Sequence, residues 1–151
     1  MTKPRILLTG ATGYIASHTW LSLLAAGYRV VGVDDFSNSS PEVLNRLRRL
    51  SGTAPDFVRA NVCDAAAMDA LFSGERIDAV VHFAAFKAVG ESVAKPLEYY
   101  ANNIGGLVTL CRAMSAHDCR TLVFSSSATV YGQPEQLPIR EDAALSATNP
   151  Y

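Results

Sequence analysis

A glycine-rich turn near the amino terminus has the residue types and the spacing that bind phosphate. Gly10 and Gly13 stand in "TGATGYIA", and Ala16 supplies a third small residue. Glycine permits a tight turn and lets backbone N–H groups approach an anion, while a small third residue lets the next helix pack closely on the strand. Because the turn lies between an apolar run and a helical pattern, we interpret it as the pyrophosphate turn of a dinucleotide site.

An aspartate after the second apolar run indicates which dinucleotide is bound. Asp34 lies about 20 residues past the glycine turn, where a carboxylate accepts hydrogen bonds from the adenosine ribose hydroxyls. A carboxylate there would repel the 2′-phosphate of NADP, so the sequence favours NAD. Asp35 is the alternative residue for this role. We expect Asp34 to matter more, because it directly follows the apolar run.

Short apolar runs and helical patterns alternate along the chain, and these elements would position both motifs. The predicted strands are Arg5–Thr9, Arg29–Val33, Asp56–Ala60, Ala79–Phe83 and Thr121–Ser125. The predicted helices are Gly13–Ala26, Pro41–Leu50, Ala65–Phe72 and Pro96–Ala116, and residues 132–150 are predicted to be a loop. Such alternation predicts an α/β fold, with a doubly wound parallel sheet covered by helices on both faces.

The long helix carries a regular apolar stripe. Its members recur at three- and four-residue spacing: Leu97, Tyr100, Ile104, Leu107, Cys111 and Met114. This spacing makes one apolar face of the helix. We therefore expect Cys111 to lie in the core.

The ligand of an open α/β sheet crosses the carboxyl ends of its strands. This rule places further residues at the cofactor: Asn61, Val62, Phe83, Ala84, Ala85, Phe86, Lys87, Asn102, Ser125, Ser126 and Ser127. His82, just inside the fourth strand, is predicted to be a core residue rather than a catalyst.

Composition excludes several other classes of function. The 151 residues are enough for one domain, and their net charge of −1 gives no field that would attract nucleic acid or an anionic membrane. No signal peptide or apolar run of membrane-spanning length is visible. The odd cysteine count predicts free thiols in a reducing cytoplasm. The histidines His18, His82 and His117 lack metal-ligand spacing, so no metal site is predicted.

Four segments of the sequence together resemble one superfamily. They are "TGATGYIASH", "HFAAFKAVGES", "KPLEYY" with the following "NN", and "FSSSATVYG". They resemble the extended short-chain dehydrogenase/reductases, and within these the epimerases that act at C4 of UDP-hexoses. The similarity runs along essentially the whole chain. The segments "KAVGES" and "SSSATVYG" are more discriminating than the glycine turn.

The resemblance implies a tightly held NAD. The residues implied at the glycine turn are Tyr14 and Ile15, and those at the adenosine ribose are Asp34, Asp35, Phe36, Ser37, Asn38 and Ser39. Asn61 and Val62 would lie at the adenine, and Lys87 and Asn102 near the pyrophosphate. Two positions depart from the family pattern. Ala16 replaces a glycine, and Asn61 replaces a common aspartate, although its amide oxygen can still accept from the adenine amino group.

The resemblance also implies a reaction, the interconversion of UDP-glucose and UDP-galactose through a 4-keto intermediate. Tyr151 would be the base, activated by a lysine four residues later, and Ser127 would bind the 4-oxygen and help relay its proton. Because Tyr151 is the last residue, we expect residues 1–151 to be an incomplete NAD-binding domain, inactive alone and lacking the sugar-nucleotide domain. The parent enzyme is expected to be a homodimer.

Two alternatives remain open. One is another NAD-dependent nucleotide-sugar epimerase, acting on N-acetylhexosamines or uronates. The other is a non-catalytic NAD-binding sensor, against which the presence of Ser127 and Tyr151 argues. The related 4,6-dehydratases carry an acidic pair after the equivalent hydroxyl residue. Here those positions hold Ala128 and Thr129, so dehydration is disfavoured.

Overall fold

A computed structural model describes residues 3–134 and 136–151. Its strands are β1 (Arg5–Thr9), β2 (Arg29–Asp34), β3 (Asp56–Arg59), β4 (Ala79–His82) and β5 (Leu122–Phe124). Its helices are α1 (Tyr14–Ala25), α2 (Glu42–Ser51), α3 (Ala65–Gly74), α4 (Val89–Ala94) and α5 (Pro96–Ala116), followed by a 3₁₀ turn over Ala128–Tyr131. The predicted strands and helices are all present, with ends shifted by at most two residues. The short α4 and the 3₁₀ turn were not predicted.

The five strands form one parallel sheet in the order β3-β2-β1-β4-β5. Leu7 of β1 pairs with Val31 of β2 on one side and with Val80 of β4 on the other. The predicted doubly wound α/β fold is therefore confirmed. The strand order reverses between β1 and β4, which is where such sheets open a crevice at their carboxyl ends.

Both faces of the sheet are covered, because successive residues of a strand point to opposite sides. Leu7, Val31 and Val80 pack with residues of α3 and α5, whereas Ile6, Leu8 and Val30 pack with residues of α1 and α2. Trp20 of α1 lies directly over Gly32, where a Cβ would overlap its ring. Gly32 thus allows a large aromatic side chain to approach the sheet closely.

The predicted apolar face of α5 is not the face that packs on the core. Of the predicted stripe only Met114 is buried, while Leu97 is 79% exposed and Cys111 is also exposed. The buried residues of α5 are Tyr99, Gly106, Leu110, Ala113 and Met114. The buried cysteine is Cys119, so the expectation for Cys111 was wrong.

Close packing explains which face of α5 is buried. A Cβ on Gly106 would lie 2.8 Å from Cγ2 of Val62, so glycine lets the helix approach the turn after β3. Asn103, one turn earlier, bonds to the backbone of Phe86. Because glycine and asparagine are not apolar side chains, the spacing of apolar residues in the sequence did not identify this face as the buried one.

None of the helices formed by residues 3–134 and 136–151 is long and apolar enough to span a bilayer.

Candidate functional site

A cleft of about 760 Å³ opens at the carboxyl ends of the strands, at the point where the strand order reverses. It collects most of the predicted cofactor residues: Gly10, Gly13, Tyr14, Ile15, Asp34, Asp35, Ser37, Asn38, Asn61, Val62, Phe83, Ala84, Ala85, Phe86, Lys87, Asn102 and Ser125. Ser127 and Tyr151, the predicted catalytic pair, line the same cleft. Residues from every strand end therefore meet in one place.

Two predicted cofactor residues, Phe36 and Ser39, do not line the cleft. The Ser39 hydroxyl donates to Asp34 Oδ1 at 3.1 Å and pairs with the Thr12 hydroxyl at 2.7 Å. Phe36 adopts a φ of 63° and packs its ring on Phe57, with ring centroids 5.3 Å apart. Both residues hydrogen-bond to the Asp34 carboxylate, Ser39 through its hydroxyl and Phe36 through its backbone N–H.

The glycine turn is shaped by its contacts with the chain on either side. Gly10 has a φ of +63°, and a Cβ there would lie 2.8 Å from the Ala84 nitrogen. The Gly13 N–H donates to the Gly10 carbonyl at 2.9 Å. Among the described residues, the N–H groups of Tyr14, Ile15 and Ala16 find no acceptor. These donors, at the positive end of the α1 dipole, suit an anion such as a pyrophosphate.

The Asp34 carboxylate is held by three donors and is only 8% exposed. Oδ2 accepts from the Thr12 N–H at 3.0 Å, and Oδ1 accepts from the Phe36 N–H at 2.8 Å and from Ser39. An ionised carboxylate offers about four acceptor positions, so about one remains for a ligand hydroxyl.

Asp35 bonds to a different turn. Its Oδ1 accepts from the Ser37 N–H at 2.8 Å, and its Oδ2 accepts from Nδ2 of Asn61 at 2.7 Å. Partial burial opposes ionisation, but the hydrogen bonds from Ser37 and Asn61 outweigh it and lower the pKa of Asp35. Burial, and then the charge of Asp35, raise the pKa of the Cys63 thiol.

The predicted catalytic residues are joined through two others. The Ser127 and Thr129 hydroxyls lie 2.7 Å apart, and Nδ2 of Asn149 lies 3.5 Å from the Thr129 hydroxyl. Asn149 Oδ1 in turn accepts from the Tyr151 N–H at 3.2 Å. The hydrogen bonds therefore run from Ser127 to the backbone of Tyr151 without a break.

A model of the NAD dependent epimerase/dehydratase family matches residues 6–151. The chain belongs to this family. The UDP-glucose 4-epimerase of Bacillus subtilis (strain 168) is 53% identical over 146 residues, which cover 97% of this chain and 43% of the relative. UDP-glucose 4-epimerase 1 of Oryza sativa subsp. japonica is 52% identical over 149 residues, which cover 97% and 42%. The chain thus spans less than half the length of these relatives.

Solved structures of the epimerase/dehydratase type superpose closely on this chain. UDP-glucose 4-epimerase from Bifidobacterium longum, in complex with NAD+ and UDP, has a TM-score of 0.94 at 47% identity, over 97% of this chain and 44% of that one. The enzyme from Stenotrophomonas maltophila, with bound NAD and formylated UDP-arabinopyranose, also has a TM-score of 0.94 at 47% identity, over 98% and 44%.

The side chains that hold the loop after β4 were not predicted from the sequence. Asn103 accepts from the Phe86 N–H at 2.8 Å and donates to the Phe86 carbonyl at 2.9 Å. The Tyr99 hydroxyl accepts from the Ala88 N–H at 3.2 Å and donates to Glu91 at 2.9 Å. Lys87 lies between these anchored residues at the cleft. The pairs "YY" and "NN" were visible in the sequence, but only one member of "NN" was assigned.

His82 is packed in the core, as predicted, although it reaches the cleft wall. Its Nδ1 lies 2.7 Å from the Thr9 hydroxyl, which also accepts from the Ala84 N–H at 3.2 Å. The tautomer of the His82 ring decides which of the Thr9 hydroxyl and Nδ1 is the donor of their hydrogen bond. Burial lowers the pKa of His82 to about 4, so the ring is neutral at physiological pH. No group of three or more potential metal ligands occurs in the described part of the chain.

Proposed function

We propose that the protein carrying this chain is an NAD-dependent epimerase that interconverts UDP-glucose and UDP-galactose by inverting C4. The observation that carries the proposal is the single cleft in which the glycine turn, Asp34, Ser127 and Tyr151 meet. The similarity to UDP-glucose 4-epimerases supports the choice of substrate.

The cleft residues fit an NAD molecule. A side chain at Gly10 would fill the space beside Ala84, and the N–H groups at the start of α1 suit its pyrophosphate. Asp34 would accept from a ribose hydroxyl, and Lys87 would supply a positive charge near the phosphates. When bound, NAD would supply the acceptor and donor of the C4 hydride.

The chain's own residues would handle the proton of the 4-hydroxyl. Tyr151 as phenolate would remove it, and Ser127 would hydrogen-bond the oxygen as its charge changes. The Ser127–Thr129 contact at 2.7 Å supports this, because it limits the directions in which the Ser127 hydroxyl can point. A positive neighbour would stabilise the Tyr151 phenolate.

We extend the proposal to the setting of the enzyme. The sugar nucleotide would be held mainly by residues outside these 151, in line with the greater length of the relatives. A homodimer is proposed on the basis of the exposed apolar side chains of α5, including Leu97, Tyr100 and Val108. A cytoplasmic location is proposed because Cys63, Cys111 and Cys119 are free thiols.

The test is to incubate the protein with UDP-galactose and NAD and to measure UDP-glucose formation. We expect Ser127→Ala and Tyr151→Phe each to lower kcat by roughly 100-fold or more, the range for lost acid–base groups. Tyr28→Phe is the matched control, since Tyr28 lies between α1 and β2, at the amino end of β2 and away from the cleft, and it should keep full activity.

Two results would redirect the proposal. Turnover of a UDP-N-acetylhexosamine or UDP-uronate, with none of UDP-galactose, would assign the other epimerase class. Tight NAD binding without turnover of any UDP-sugar would assign a sensor.

A further inference from the structure

Asp35 and Asn61 come from the turns after β2 and β3 and meet at the wall of the cleft. The Asn61 amide donates through Nδ2 to the Asp35 carboxylate at 2.7 Å. Its oxygen accepts from the Cys63 N–H at 2.8 Å. Rotating the amide by half a turn would set its oxygen against a carboxylate and its NH₂ against an N–H. Both contacts therefore demand the same orientation of the amide.

We infer that Asp35 is a positioning residue that makes the cleft selective for a dinucleotide whose base carries an amino group. This inference rests on the proposed binding of NAD. Asn61 Oδ1 uses one lone pair on the Cys63 N–H, and the second is an acceptor for a ligand. The amino group of adenine donates to such an acceptor. Hypoxanthine has a carbonyl oxygen in the same place, which an amide oxygen repels.

The charge of Asp35 also accounts for the asparagine at position 61. An aspartate there would set two carboxylates about as far apart as the present 2.7 Å contact, and like charges at that distance cannot both stay ionised at low cost. Asparagine provides the same acceptor oxygen without the charge, and its NH₂ satisfies Asp35. Positions 35 and 61 thus form a hydrogen-bonded pair that accommodates one carboxylate and one amide, but not two carboxylates.

The experiment compares Kd for NAD with Kd for its hypoxanthine analogue, using the whole protein. We expect the native protein to prefer NAD by about tenfold, the value of one well-made hydrogen bond against a repulsive contact. Asp35→Ala should lower this preference to about threefold or less, because Asn61 then has one orienting bond instead of two. The ratio is the informative quantity, since a general structural defect would weaken both dinucleotides equally.

An exchange of the two residues provides the rescue. Asn61→Asp alone should weaken binding of both dinucleotides by about tenfold through carboxylate repulsion. Adding Asp35→Asn should restore the affinity and the preference for NAD, because the donor and acceptor then return in exchanged positions. Asp56→Ala removes a carboxylate at the amino end of β3, away from the cleft. It is the control and should leave the ratio of the two Kd values unchanged.

The measurements distinguish a failure of this inference from a failure of the proposed function. Equal affinities of the native protein for the two dinucleotides, or an unchanged ratio in Asp35→Ala, would overturn this inference and leave the proposed function standing. So would an exchanged pair that binds no better than Asn61→Asp. A protein that binds neither dinucleotide would overturn both proposals.

Discussion

Asp34 and Asp35 are adjacent carboxylates with different tasks in this structure. Asp34 receives three hydrogen bonds, one from the turn after β1 and two from the turn after β2, whereas Asp35 bonds to Asn61 in the turn after β3. Bonds of this kind fix the carboxylate in place before a ligand binds, so less side-chain entropy is lost on binding. The donors that do this for Asp34 are the Thr12 N–H, the Phe36 N–H and the Ser39 hydroxyl, and they do not occupy all its acceptor positions.

We therefore predict that NAD affinity depends on Asp34 more than on Asp35. Asp34→Ala should cost about 1.5–3 kcal/mol of binding free energy, through a lost charge-assisted hydrogen bond. Asp35→Ala should cost less, since its effect reaches the ligand through Asn61. Calorimetric titration of NAD into both variants measures the difference, and equal losses would remove Asp34 from the proposed role.

The lowered pKa of His82 leads to a second prediction, which concerns the stability of the folded protein in acid. Its pKa is about 4 in the folded protein, against about 6.5 in an unfolded chain. Between these values the unfolded chain binds a proton that the folded one does not, so stability falls as the pH drops through this window. The loss should approach about 3 kcal/mol near pH 4.

The measurement is urea unfolding at pH 7, 5.5 and 4.5 for the native protein and for His82→Asn. The asparagine amide can still form a hydrogen bond with the Thr9 hydroxyl, but it does not titrate. We expect the variant to lose less stability than the native protein on acidification. Parallel curves would show that folding does not shift the pKa of His82.

At the scale of elements, α5 determines the shape of the cleft's outer wall. Its inward face touches the turn after β3 through Gly106 and the loop after β4 through Asn103. Ile104 and Leu107, which the periodicity assigned to one continuous apolar face, line the cleft. The helix therefore divides its apolar residues between the core, the cleft and the surface.

Two neighbouring glycines of α5 allow a matched test of this packing. No heavy atom lies within 4 Å of a Cβ built on Gly105, so Gly105→Ala should stabilise the protein by about 1 kcal/mol through helix propensity. A Cβ on Gly106 would meet Val62 at 2.8 Å, so Gly106→Ala should destabilise by about 1–2 kcal/mol despite the same propensity gain. Thermal unfolding of both variants gives the comparison. Two stabilised variants would mean that the turn after β3 yields easily.

The sequence was sufficient for the elements and for the residues at the strand ends, because apolar runs, the glycine turn and Asp34 are local signals. It was insufficient where a contact joins distant segments. Asn103 is polar and Gly106 has no side chain, so neither marks a buried face until Phe86 and Val62 are placed beside them. Likewise α4 is six residues long with Gly90 inside it, too short to show a period.

At the scale of the whole molecule, several of the exposed apolar side chains lie on α5 and on the edge strand β5. Leu97, Tyr100 and Val108 lie on the outer side of α5, and Val123 and Phe124 of the edge strand β5 are also exposed. Apolar residues grouped in this way commonly mark a surface that another protein surface covers. Leu50 on α2 is similarly exposed but lies among arginines.

We predict that Leu97 supports the proposed homodimer and that Leu50 does not. The two leucines are 79% and 72% exposed, so they differ in neighbours rather than in accessibility. Leu97→Gln should raise the dimer dissociation constant by about tenfold or more, and Leu50→Gln should leave it unchanged. Light scattering behind size-exclusion chromatography, over a dilution series, measures both. A monomeric native protein at all concentrations would exclude the dimer.

The strand order also has a consequence for the time course of folding. β1 is made first, yet its bond from Thr9 to His82 on β4 spans 73 residues. During synthesis, β1 can pair with β2, and β2 with β3, at an early stage, but the other edge of β1 stays open until β4 has left the ribosome. The cleft is completed only when that late-closing edge is filled, so the whole NAD site does not yet exist while the first half of the sheet forms. Pairings this distant in sequence are slow to close, and the half-built sheet must remain soluble through its own helices α1 and α2.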